Sequence, residues 1–184
     1  MIDSVSGVAQ QSGPQTSPLA QSSFLKPEQV VSNLCVASRK RLFERFSELI
    51  ASRFSDDLTD SESADTYEGA EEVLSAESIF ETLHDRERLG CTALGKGIAL
   101  PHGRIAGLSA PVIAVARLEK PISYDAPDGV PVWIAVCLLV PSDANDVHLQ
   151  LLASLASRFS DDKFVHEVQS ADSDSDLYKL FADL

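Results

Sequence analysis

The chain has 184 residues, 44% of them apolar, which is enough for one domain with a sizeable core. Its formal net charge of −13 argues against nucleic acid as a partner, because phosphate backbones need a basic surface. No apolar run approaches the roughly 20 residues of a membrane span. Residues 1–23 also lack the basic start and apolar centre of a signal peptide, so a cytoplasmic location is expected.

Residues 1–23 are rich in Ser, Gln, Gly and Pro and are expected to form a disordered tail, with the folded domain spanning 24–184. Residues 30–36, β-branched and apolar, read as a strand. From 39 to 54, Leu42, Phe43, Phe46, Leu49, Ile50 and Phe54 fall on one helical stripe, with Ser38 as the natural N-cap. Residues 55–72 carry eight acids and no Lys or Arg, which reads as a solvated loop running into a helix start. A second helix is predicted over 67–84, with Val73, Leu74, Phe80 and Leu83 inward and Gly90 marking the exit.

Further strands are expected at 112–118 and 132–140. The second is almost continuously apolar, which predicts a central strand covered on both faces. Residues 121–131 read as loop or edge structure between them. A third long helix begins after Asp143 or Asn145 and runs to about Phe159. Short helices follow near 161–169 and 173–182, the latter with Leu177, Leu180 and Phe181 inward. The fold class is therefore α/β (α+β): a small mixed β-sheet with helices packed on both sides. Cys35, Cys91 and Cys137 form no C-x-x-C pair and read as reduced thiols without a metal or redox role, and no cofactor is expected.

The most informative stretch is Gly95-Lys96-Gly97-Ile98-Ala99-Leu100-Pro101-His102-Gly103-Arg104. Pro101 lacks an N–H and Gly103 permits a tight backbone, so the His102 ring is expected at an exposed turn, at the end of an element. Such a ring is open to a reacting group, although a turn histidine bonded to backbone fits the same residues. The three glycines could turn backbone N–H groups toward an anion.

This segment resembles the active-site stretch of phosphotransferase-system IIA proteins of the fructose/mannitol class, most of all their nitrogen-regulatory branch. The similarity extends from about Phe24 to the C-terminus. It takes in Arg86-Glu87-Arg88-Leu89-Gly90, the run from Tyr124 to Val132, Leu138-Leu139-Val140-Pro141 and His148-Leu149-Gln150-Leu151-Leu152. The resemblance implies a single IIA-type domain that accepts a phosphoryl group on His102 from a small histidine-phosphorylated phosphocarrier protein. It implies Nε2 as the reacting nitrogen, and target proteins regulated by phosphorylation-dependent binding. The alternative it leaves is a sugar-specific IIA that passes the group to a IIB cysteine.

His148 shares a helical face with Leu152, Leu155 and Phe159, so its residues alone fit a satisfied core histidine. The resemblance makes it a second, supporting histidine beside His102. Arg86 sits among Asp85, Glu87 and Arg88 and reads alone as a surface residue in a charged loop. The resemblance brings it to the active histidine, where its fork would suit phosphoryl oxygens. Thr92, Gly103 and Arg104 are further candidates for phosphoryl or partner binding, whereas His84 and His166 read as structural or exposed.

Overall fold

The structure, a computed structural model, describes residues 24–57 and 74–182. The expected tail at 1–23, most of the acidic run and Val73 lie outside these residues. Among the described residues six strands make one mixed sheet, and five helices pack on its two faces.

Strand β1 (Val30–Leu34) follows a short 3-10 turn and leads into helix α1 (Arg39–Asp57). The Ser38 hydroxyl accepts the Arg41 N–H at 3.3 Å, the expected cap. Leu42, Phe43, Phe46 and Ile50 are buried on the stripe, with Phe54 partly so. Helix α2 spans Ala76–Arg88 and is capped by Ser75, whose hydroxyl accepts the Ser78 N–H. The expected start at 67 lies outside the described residues; Leu74 and Ser75 directly precede the helix. The helix runs one turn past His84, because no glycine or proline intervenes before Gly90. Asp85–Arg88 is therefore helix and not a charged loop. Its inward residues are Ile79, Leu83 and Glu87, spaced four apart, while Phe80 is only partly buried. Full burial of Ile79 and Leu83 stabilises the packing of α2 by about 1.5–3 kcal/mol each.

Three short strands come next: β2 (Ala93–Gly95), β3 (Ile98–Ala99) and β4 (His102–Ile105). Strands β5 (Val112–Ile122) and β6 (Val132–Pro141) form the long antiparallel centre of the sheet. The strand order is β1-β5-β6-β3-β2, and β4 pairs with β6 further along the same edge as β3. Side chains of β5 alternate between the two cores: Val112, Ala114, Ala116 and Leu118 face α1 and α2, whereas Ile113 and Val115 face the C-terminal helices. As expected for a strand covered on both faces, β6 is buried at nearly every residue.

Helices α3 (Asn145–Arg158), α4 (Asp162–Ser170) and α5 (Asp174–Ala182) close the second face. Phe159, Phe164 and Phe181 meet there with ring centroids 5.4–6.0 Å apart. Leu177 and Phe181 are fully inward, and Leu180 is partly so. No described helix is long and apolar enough to cross a membrane.

Candidate functional site

His102 is the first residue of β4, not a turn residue as expected. The edge beside β6 is occupied by β3 up to Ala99, breaks at Leu100-Pro101, and resumes at His102, whose register partner is Leu138. Pro101 has no N–H, but its carbonyl still accepts the Leu138 N–H at 2.9 Å, so the break stays attached to the sheet. The ring is half-buried in consequence.

Both ring nitrogens of His102 are engaged. Nδ1 lies 2.7 Å from the Leu100 carbonyl oxygen, which can only accept, so Nδ1 carries the proton. Nε2 is left with its lone pair, into which Arg86 Nε donates at 3.1 Å. Arg86 is itself held by a 3.1 Å bond from Nη1 to the Gly90 carbonyl. Burial above all lowers the His102 pKa from its ordinary value. The Leu100 hydrogen bond opposes that shift, the Arg86 charge adds to it, and the Glu87 charge opposes it. The ring is therefore neutral at pH 7.

His148 lies in the first turn of α3, and its ring centroid is 5.3 Å from that of His102, nearly edge to face. Its Nδ1 accepts a long, 3.4 Å hydrogen bond from Arg104 Nε, which puts the proton on Nε2. That Nε2–H is buried and has no partner among the described residues. Burial lowers the His148 pKa too, with the facing His102, Arg104 and Arg86 adding to the shift. An unpartnered buried donor is costly, on the order of 1–3 kcal/mol. The residue is thus packed like a core histidine yet is not satisfied like one.

The two rings open into a cleft of about 770 Å³ lined by Thr82, Asp85, Arg86, Arg88, Leu89, His102, Gly103, Arg104 and His148. Three arginines against one aspartate make this a cationic cleft in a chain of net charge −13. Gly103 is there because α2 runs so close: a Cβ at this position would lie 2.5 Å from Thr82 Cγ2.

Two expectations are corrected here. Thr92 does not turn its hydroxyl to the cleft. It is buried and donates to Glu87 Oε2 at 2.6 Å. Gly95 and Gly97 are not among the cleft residues. With φ of +89° and +76° they form the turn joining β2 and β3. A Cβ on Gly97 would clash with Trp133 Cδ1. His84 is exposed on α2, stacked on Phe80, and His166 is exposed on α4. Reading from sequence missed Thr82, Asp85, Arg88 and Leu89 in the cleft wall; Asp85 and Arg88 were read as part of a charged loop, and nothing in the pattern singled out Thr82 or Leu89. It missed the buried Glu87 as well, although the spacing from Ile79 and Leu83 already put that carboxylate on the inward stripe.

Residues 23–184 match the family model described as phosphoenolpyruvate-dependent sugar phosphotransferase system, EIIA 2. The chain belongs to this family. It is 33% identical to a nitrogen regulatory protein of Pseudomonas aeruginosa over 161 residues, covering 88% of this chain and 94% of that one. It is 34% identical over 166 residues to a nitrogen regulatory protein of Escherichia coli K12, covering 90% and 91%. The crystal structure of nitrogen regulatory protein IIA-Ntr from Neisseria meningitidis superposes with a TM-score of 0.74 at 34% identity, covering 87% of this chain and 97% of that one. The mannitol IIA of Escherichia coli shares the fold, with a TM-score of 0.61 at 15% identity over 85% of this chain and 97% of that one. This phosphotransferase IIA chain thus has the α+β fold of the nitrogen-regulatory branch, and its relatives support a phosphocarrier of IIA type.

Proposed function

We propose that this IIA protein accepts a phosphoryl group on His102 Nε2 from a small histidine-phosphorylated phosphocarrier protein, and that the modified and unmodified forms bind regulated targets differently. The observation that carries the reading is the tautomer: the Leu100 carbonyl holds the proton on Nδ1, so the lone pair lies on the nitrogen nearest the arginine. The Nε2 lone pair attacks phosphorus, and the P–N bond to the donor imidazole breaks. The bonding pair returns to the donor's ring nitrogen, and the proton stays on Nδ1, which goes on donating to the Leu100 carbonyl. Little covalent work is asked of the protein, so positioning and charge do the catalysis. Arg86 must leave the lone pair as phosphorus arrives and turn its fork to the phosphoryl oxygens. His148 Nε2–H, without a partner among the described residues, gains an acceptor when a phosphoryl oxygen enters.

Leu89 in the cleft wall is 85% exposed, and Leu149 beside His148 is 66% exposed, which suits an apolar docking contact around a cationic centre. Arg104 and Arg88 on the cleft wall would steer an anionic partner site. Phosphorylation places about −1.5 to −2 charges at the middle of this surface, enough to alter target binding without a change of fold. Similarity to nitrogen regulatory proteins over most of the chain favours the regulatory role.

Incubation with phosphoenolpyruvate and the phosphocarrier relay, followed by intact mass measurement, tests the reading. The wild type gains one phosphoryl group, which is lost in acid and kept in alkali, and His102→Ala gains none while keeping its far-UV circular dichroism. Full labelling of His102→Ala sinks the assignment. A second reading, sugar transport, is favoured by 37% identity over 113 residues to the 2-O-alpha-mannosyl-D-glycerate-specific EIIABC component of Escherichia coli K12, although that match spans 60% of this chain and 17% of that protein. Rapid transfer from this chain to a purified sugar IIB cysteine would select it.

A further inference from the structure

Beneath the cleft, Glu87 on the last turn of α2 buries a carboxylate whose side chain is only 5% exposed. Burial of a charge demands partners, and this one has them. Arg39 Nη1 from α1 lies 3.3 Å from Oε1, the Thr92 N–H donates at 3.2–3.3 Å, and the Thr92 hydroxyl donates at 2.6 Å. Because the Thr92 proton goes to Glu87, the Tyr124 hydroxyl at 3.1 Å donates in turn to Thr92 Oγ1. Arg39 also holds the Tyr124 carbonyl at 3.1 Å and lies over the Tyr124 ring. One carboxylate thus ties α1, α2, the residues before β2 and the end of β5 into a single network.

Two routes lead from that network to the same imidazole. The Thr92 carbonyl accepts the Leu100 N–H at 3.0 Å, and the Leu100 carbonyl accepts the Nδ1 proton of His102. On the other side, the loop from Leu89 to Thr92 is tethered at Thr92 by Glu87. It presents the Gly90 carbonyl that holds Arg86, whose Nε meets His102 Nε2. Arg86 and Glu87 are neighbours on one helical turn, one facing the cleft and the other facing the core.

We propose that Glu87 is a positioning residue for His102: through Thr92 it places the carbonyl that fixes the Nδ1–H tautomer and the loop that aims Arg86 at Nε2. The consequence for phosphoryl transfer rests on His102 being the acceptor, whereas the consequence for the tautomer does not. A plain ion pair between α1 and α2 would hold the helices together but would leave the ring's proton where it is. Glu87→Gln separates the two. Its amide oxygen can still accept from Thr92, but the neutral group cannot hold Arg39 and both Thr92 donors at once.

The experiment is long-range proton–nitrogen NMR of the histidine rings in the full, unphosphorylated chain, alongside phosphoryl transfer rates and melting. The wild type should show His102 as the Nδ1–H tautomer. Glu87→Gln should show a mixed tautomer population, with transfer slowed by up to about 10²-fold as the ring and Arg86 lose their alignment. Thr92→Val, which keeps volume and removes the 2.6 Å bond, should shift the tautomer in the same direction by less. An unchanged His102 tautomer in a folded Glu87→Gln protein overturns the proposal, even if the protein melts earlier. If Glu87→Gln does not fold, Thr92→Val decides, and a wild-type spectrum there overturns it. A wild type that takes no phosphoryl group would refute the proposed function, yet the tautomer comparison would still judge Glu87.

Discussion

The segment from Gly95 to Arg104 reads as one motif, but its two ends do different work. At Gly95-Lys96-Gly97 the backbone takes positive φ at three consecutive residues and joins β2 to β3. There Trp133 Nε1 donates to the Lys96 carbonyl at 3.0 Å, and Gly97 leaves no room for a side chain. At His102-Gly103-Arg104 the backbone is a parallel strand against β6, and Gly103 lets α2 bring Arg86 onto the ring. The glycines of the first end are demanded by a turn, and the glycine of the second by a close approach to the reacting residue. Neither use requires the glycine N–H groups to bind an anion. Proximity in sequence to an active residue is therefore weak evidence for a role in its chemistry.

Substitutions should separate the two ends. The largest effect short of removing His102 is expected for Arg86→Ala, with phosphoryl transfer falling about 10²- to 10³-fold, as when one preorganised donor to a developing charge is lost. Arg86→Lys should not restore it, because one ammonium cannot reproduce the planar fork that spans His102 and Gly90. Quench-flow transfer rates measure both.

Gly103→Ala should slow transfer about 10²-fold or somewhat less, since its Cβ would push α2 and Arg86 away from His102. Adding Thr82→Ser, which removes the clashing Cγ2, should recover part of the loss. Gly97→Ala should lower stability by about 1–3 kcal/mol through the Trp133 clash and the strained φ, while transfer stays near wild type. Equal losses of transfer in the two alanine variants, compared by thermal melts and rates, would erase the distinction between the ends.

The smallest effects concern pH. Both clefted histidines have pKa values below the ordinary 6.5 in the folded protein. Above 6.5 folded and unfolded forms are both neutral, and the stability contribution is fully present. As pH falls below 6.5 the unfolded chain binds protons that the native rings do not, so stability declines down to the folded pKa values and then levels. Histidine titration by NMR and urea melts across pH 5–8 would show this, with acceptor activity holding below pH 6.5.

The elements that a sequence pattern can encode were legible. Helix α1 announced itself by Leu42, Phe43, Phe46 and Ile50, and β6 by an apolar run that only burial on both faces explains. Strands β2, β3 and β4 were not foreseen. Their residues are rich in glycine and interrupted by proline, and what makes them strands is the ladder that β6 and the neighbouring strand supply. Arg86 and His102 are 16 residues apart, and only the family resemblance suggested that they meet. The direction of the Thr92 hydroxyl was beyond the sequence as well, because its partner is an acid that was assigned to a loop. Glu87 stood in plain view on the Ile79–Leu83 stripe, where an inward carboxylate signals a buried network.

The central claim is that the phosphoryl group forms its bond at Nε2 of His102. Long-range proton–nitrogen and phosphorus NMR of the phosphorylated protein tests it most directly. The account predicts a single phosphohistidine whose phosphorus couples to Nε2 of residue 102, with Nδ1 still protonated, and no such signal from His102→Ala. A phosphoryl group on Nδ1 of His102, or on His148, would contradict it.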